Sequence, residues 1–295
     1  MIKDLLRGES MSPVEYYTWK YPQLTLPIKE GMKDSEEYGN IVKAGIFPEN
    51  LACFMKENGL EERIPLNTPA GYAEALYLPE RDEFEYYYKA LSNRCEPMDI
   101  PLTTGAVMIS GINSWRRIYA HKEEFLQNHS EEEWDAEFDI FISDKNNFRD
   151  SVLLLSKGEY SHVSYERTGF TESEWIDMSK KIRLYHEMTH FVSRKLYPEH
   201  QEAVRDEVLA DSIGIIGALG KFEPQLERLV LGIENGICRE DGRLRNYVDE
   251  IMVDKATQYA DLLISELSDF YSHNNFDDPF DYLLEAEEQK IGIRN

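Results

Sequence analysis

Three side chains within five positions carry the clearest chemical signal in this 295-residue chain: His186, Glu187 and His190, in the stretch RLYHEMTHFV. A helix turns about 100° per residue, so residues four apart lie about 40° apart on its surface, one turn above the other. Both imidazoles can then reach one ion. Zinc suits neutral imidazole nitrogens, and catalytic zinc commonly keeps three protein ligands and a water. A glutamate next to the first histidine can reach that water without ligating the ion, which is a general-base position. The alternative is a helix with two incidental histidines. Leu184, Tyr185, Met188, Phe191 and Val192 around the pair are uncharged and largely apolar, which predicts a buried helix with its histidines turned inward.

Two histidines leave a ligand missing. RDEVLADSIG supplies Glu207, 17 residues after His190, on the next predicted helix. Asp211 follows on the same face, where it could accept an imidazole N–H and hold the tautomer that frees the other nitrogen for metal. Ala210 between them lets the two helices approach closely. His200 is the rival third ligand, but it leaves Asp211 without a role. HEMTH followed by EVLAD on a second helix resembles the gluzincin, or thermolysin-like, zinc metallopeptidases. The resemblance implies that His186, His190 and Glu207 bind zinc, that Glu187 is the general base, and that Asp211 partners a ligand histidine. The metzincin pattern does not fit, because Ser193 and Leu196 stand where it requires glycine and histidine. Arg183 departs from the resemblance, since zinc peptidases more often carry a small or aliphatic residue three before the first histidine.

Gluzincins also place a tyrosine or histidine beside the zinc to stabilise the oxyanion, usually downstream of the third ligand. Tyr247 in GRLRNYV is the first candidate, with Tyr160, His162 and Tyr165 behind it; an ordinary packing role is its alternative. Arg243 and Arg245 nearby could bind a substrate carboxylate or pair with neighbouring acids. The resemblance further offers SVLLLSKGEYSHVSYE as an edge for pairing an extended substrate, against the alternative of a buried hairpin.

The elements that must position these residues follow from patterning. Thr171 and Glu174 have capping-box spacing, and Trp175, Met178, Ile182, Tyr185 and Thr189 recur at helical intervals. One helix is predicted to run to about Leu196, stopped by Pro198, with a second from QEAVRDEV to near Gly220 and Pro224. PQLERLVLGIENG, a turn at EDGRLR, a helix from about Asn246 to Phe270 and a last helix near 278–289 complete a mostly helical half. Between about 101 and 170, GAVMIS, FDIFIS and SVLLLSKGEYSHVSYE read as strands around a helix at SWRRIYAHKEEFLQNH. Residues 1–100 read as a helical region of unassigned role, with ENLACFMKENGL and RDEFEYYYKALSNR as helices and Tyr86, Tyr87 and Tyr88 as packing surface. The expected class is α+β: a helical N-terminal region, then a zincin-like metallohydrolase domain over 101–295 with a small sheet before the active helix.

A composition of 42% hydrophobic and 30% charged residues predicts a folded globular chain. Its formal net charge of −24 opposes phosphate backbones and anionic membranes, so neither nucleic acid nor membrane is an expected partner. Lys3, Asp4, Arg7 and Glu9 interrupt any export signal, and IGIIGALG is too short to span a bilayer. Cys53, Cys95 and Cys238, odd in number and far apart, fit a reducing cytoplasm. The expected function is zinc-dependent hydrolysis of a peptide, protein or small amide. A metal-binding protein without catalysis, its site closed by a fourth ligand such as His200, is the alternative.

Overall fold

The fold is that of a computed structural model, described over residues 11–49, 51–101 and 104–293. The charged start at Lys3, Asp4, Arg7 and Glu9 lies outside the described residues. About 57% of the chain is helical, with a small mixed sheet, so the class is α+β. Contacts separate the chain into two units.

Unit 1 takes in residues up to Pro65, Glu74–Pro101 and Val107–Ser156. Helix α1 (Pro13–Lys20) opens with a capping box, Ser12 taking the N–H of Glu15 while Glu15 takes that of Ser12. Strands β1 (Glu62–Thr68) and β2 (Gly71–Leu78) are joined by a two-residue turn, and α2 (Arg81–Ser92) follows. Then come β3 (Ala106–Asn113), α3 (Trp115–Phe125), α4 (Trp134–Ser143) and β4 (Arg149–Ser156). The sheet order is β1-β2-β4-β3, with β2 and β4 parallel in the register Ala75 to Leu153 through Leu78 to Ser156. Its core joins Leu76, Leu78, Val152 and Leu154 to the tyrosines of α1 and α2. Tyr86 and Tyr87 are buried there, and the Tyr86 hydroxyl donates to the carbonyl of Leu24 at 2.6 Å.

Several elements differ from the sequence expectation. ENLACFMKENGL is irregular where described, because the Glu61 carboxylate takes the N–H groups of Asn58 and Gly59, and Asn58 Oδ1 takes that of Leu60. Such local acceptors compete with helical bonding. The hairpin β1–β2 stands in the N-terminal hundred residues, which are therefore not helical throughout. Pro65 lies within β1, as an edge strand allows. FDIFIS belongs to helix α4; the turn before it is started by a capping box between Ser130 and Glu133. SVLLLSKGEYSHVSYE is a strand only as far as Ser156, and that strand lies between β2 and β3, so it is not a sheet edge. Beyond it Gly158, Ser161 and His162 all have positive φ, which replaces the pleat with single-turn 3-10 segments. Strands β3 and β4, which follow residue 100, share the sheet of β2.

Unit 2 takes in Leu66–Ala73, a short piece ending at Ala106, and the chain from Lys157 onward. Helix α5 (Glu172–Leu196) has the expected Thr171–Glu174 capping box. It packs along α6 (Ala203–Leu219), which stops at Gly220 in the left-handed conformation, φ 72°. Helix α7 (Pro224–Leu231), a small hairpin of β5 (Ile233–Glu234) and β6 (Ile237–Cys238), α8 (Val253–His273) and α9 (Pro279–Glu288) follow. Helix α8 starts later than expected because 243–247 and 250–252 are 3-10 turns. Among the described residues no helix is long and apolar enough to cross a membrane.

Candidate metal centre

Helices α5 and α6 approach closely because α6 turns small residues toward α5. A Cβ on Gly214 would sit 2.8 Å from the carbonyl oxygen of Ile182, and one on Gly217 would sit 2.3 Å from the Tyr185 ring. Ala210 and Glu207 continue this face by helical periodicity, so the close approach aims Glu207 at the next turns of α5. There it meets His186 and His190, both buried. Their Nε2 atoms are 3.2 Å apart; Glu207 Oε1 is 3.3 Å from His190 Nε2, and its Oε2 is 3.5 Å from His186 Nε2.

An ion held tetrahedrally by bonds of roughly 2.0–2.1 Å keeps its donor atoms about 3.3–3.4 Å apart. The separation of the two ring nitrogens is close to that figure, and each nitrogen has a different Glu207 oxygen at a similar distance. The Oε2 of Glu207 is buried without a hydrogen-bond partner, and its side chain converges with two ring nitrogens. Three groups able to act as acceptors brought so close could share a cation. His186, His190 and Glu207 are thus a donor set that could hold a metal ion, and its mixed imidazole and carboxylate chemistry fits zinc.

The outer face of His186 is as fully specified. Its Nδ1 lies 2.9 Å from Asp211 Oδ1 and 3.0 Å from the Tyr160 hydroxyl. That hydroxyl donates to Asp211 at 2.6 Å and accepts from Arg243 Nη1 at 2.8 Å, while Arg243 Nη2 donates to the second Asp211 oxygen. With Nδ1–H given to Asp211, Nε2 of His186 keeps its lone pair for an ion. Burial opposes ionisation of Asp211, but the Arg243 charge and the His186 bond outweigh it and lower its pKa. Glu207 is treated alike: burial is overcome by the His190 bond and by the charges of His186 and Arg243, leaving the carboxyl far below its usual range. Burial dominates at Tyr160 and keeps that phenol protonated.

Among the other candidates, Glu187 is half-buried on α5 and has neither a hydrogen bond nor an ion pair among the described residues. Tyr247 lies near the centre: burial raises its pKa most, the Arg243 charge lowers it, and the Glu207 charge raises it. Arg243 lies 5.9 Å from the centre of the Tyr247 ring. Arg245 is elsewhere, donating to Glu250 at 2.5 Å and to the Arg239 carbonyl. His162 is exposed, and Tyr165 packs with Phe170 and Met178 around the core of Trp175 and Ile182. His200 bonds Glu287 through Nδ1 at 2.9 Å and stacks on Tyr197, so it belongs to the anchorage of α9. Sequence reasoning named Tyr160 and Arg243 but not their joint hold on Asp211, which chain segments distant in sequence create.

No curated protein matches this chain, and no solved structure matches it. One family model does match, over residues 5–289, and its description is a family of unknown function (DUF7005). The match covers nearly the whole chain, and the protein belongs to that family.

Proposed function

We propose that this protein is a zinc-dependent hydrolase of gluzincin type, with a zincin-like core, cleaving peptide or other amide bonds. The observation that carries the reading is the convergence of His186 Nε2 and His190 Nε2, 3.2 Å apart, with the two Glu207 carboxylate oxygens, Oε2 3.5 Å from the first and Oε1 3.3 Å from the second, and a half-buried glutamate beside the first histidine. Zinc bound there would lower the pKa of a coordinated water toward neutrality and polarise the scissile carbonyl. His186, His190 and Glu207 would hold it, with Asp211 keeping the tautomer of His186. Glu187 accepts the proton of the attacking water and passes it to the leaving amine. Tyr247, kept protonated by burial, is the donor proposed for the oxyanion.

A closed, purely structural site would need a fourth protein ligand, and His200 is engaged by Glu287 instead. That favours a site with an open position for water. The test is Glu187→Gln, compared with the parent for zinc content and for hydrolysis of a peptide library. A variant that holds about one zinc and loses at least a hundredfold in turnover supports the mechanism. Undiminished turnover overturns it.

A further inference from the structure

We infer that Arg183 is a positioning residue for the candidate metal centre, acting through Tyr160; the inference rests on the metal-binding part of the proposed function. Arg183 lies on α5 three residues before His186 and is buried. Its Nη1 donates to the Gly158 carbonyl and its Nη2 to the Glu159 carbonyl, each at 2.7 Å. Those carbonyls immediately precede Tyr160, whose hydroxyl sits between Asp211, Arg243 and His186 Nδ1. Gly105 makes room for the guanidinium: a Cβ there would lie 2.7 Å from Arg183 Nε.

The loop needs holding. Gly158 has φ 145°, and Ser161 and His162 stand in succession at φ 53° and 55°, a left-handed conformation that is strained for a non-glycine residue. Its anchors come from a single stripe of α5. Trp175 Nε1 donates to the Val163 carbonyl at 2.7 Å, Ser179 Oγ accepts from the Tyr160 N–H at 2.9 Å, and Arg183 takes the two carbonyls before it. Residues 175, 179, 183 and 186 fall within an arc of about 80° on one helix. The rigid element that presents the histidines thus also fixes the phenol that bonds their aspartate. A small or aliphatic residue at 183 could hold neither carbonyl.

The test is a double-mutant cycle of Arg183→Met and Tyr160→Phe in the full chain, read as zinc affinity by chelator competition, with thermal unfolding of the metal-free proteins as the fold control. Each single variant is expected to weaken zinc binding by about 10- to 100-fold. The double variant should be no weaker than the worse single, because Arg183 acts only through Tyr160. Losses that multiply, or an Arg183→Met protein that binds zinc as the parent does, overturn the inference. Should Arg183→Met not fold, Arg183→Lys takes its place in the cycle, with an intermediate loss expected. A second readout needs no metal: the hydroxyl proton of Tyr160, bonded to a buried carboxylate, should give a slowly exchanging downfield resonance in tyrosine-labelled, metal-free protein. It should be lost in the Arg183 variant, and its persistence there overturns the inference. A parent that binds no zinc yet shows this pattern would sink the metal reading and leave the positioning role standing.

Discussion

Glu83 on α2 shows what a single buried carboxyl can do to this chain. It is 4% exposed and shares its surroundings with the Glu61 carboxylate, while Asn58 Nδ2 donates to it at 2.9 Å. Burial first, then the Glu61 bond and charge, push its pKa up to about 7 from 4.5. A carboxyl whose pKa rises on folding binds more protons in the folded state, so stability falls as pH rises between those two values and levels off above about 7. Glu83→Gln keeps a donor for Glu61 and removes the charge. It should therefore melt higher than the parent at pH 8, with the advantage shrinking to nothing near pH 4.5 and below. Melting curves from pH 4.5 to 8 check this, and a pH-independent difference would show that Glu83 is not the titrating group. No local pattern announces Glu83, because its pKa comes first from burial by the folded chain and then from a contact 22 positions away. His186, Glu187 and His190 were legible for the opposite reason: a helix fixes the geometry of residues four apart whatever surrounds it.

The pairing of α5 with α6 positions Glu207, and glycine is what permits it. In an ordinary helix, replacing glycine by alanine gains about 1 kcal/mol. At Gly214 the new methyl would meet the Ile182 backbone carbonyl at 2.8 Å, and backbone cannot swing aside as a side-chain tip can. The helices would have to separate, and overpacking of this kind costs about 1–3 kcal/mol. Gly214→Ala should thus be destabilised in chemical denaturation despite its better propensity, and should bind zinc more weakly because Glu207 rides on the displaced helix. A stability gain would mean that the helices are not in close contact. Both helices were readable from caps, apolar spacing and Pro198; Gly214 and Gly217 looked like part of an apolar run, since close approach has no signature until the partner helix is known. The failures elsewhere have local causes. In α4 the alternation of Phe138, Ile140 and Ile142 imitates a strand, yet Ile140 is 67% exposed, so the pattern was never a buried face. In β1, Pro65 is tolerated because the strand is at the edge of the sheet, a position that only the sheet defines.

At the scale of the molecule, contacts divide the chain in a way that crosses its sequence more than once. Residues 66–73 and a short piece ending at Ala106 join unit 2 although their flanks join unit 1, and nothing in composition marks those crossings. The helical bias and the absence of a long apolar span were legible, because both are sums over many residues. What links site and whole is mass action: an ion that binds only the folded chain stabilises it by RT ln(1 + [L]/Kd), about 2.7 kcal/mol at a hundredfold excess over Kd. Domains are stable by only about 5–15 kcal/mol, so that increment should be plain in thermal unfolding. Zinc is therefore expected to raise the melting temperature of the parent, and a chelator to reverse the rise. In His190→Ala, which removes one donor of three, neither addition should move the transition at the same concentrations. An equal response in parent and variant would place the ion on the acidic surface, where a formal charge of −24 attracts cations without any built site. The contrast between the two proteins, rather than the shift in either, therefore tests whether the ion sits among His186, His190 and Glu207.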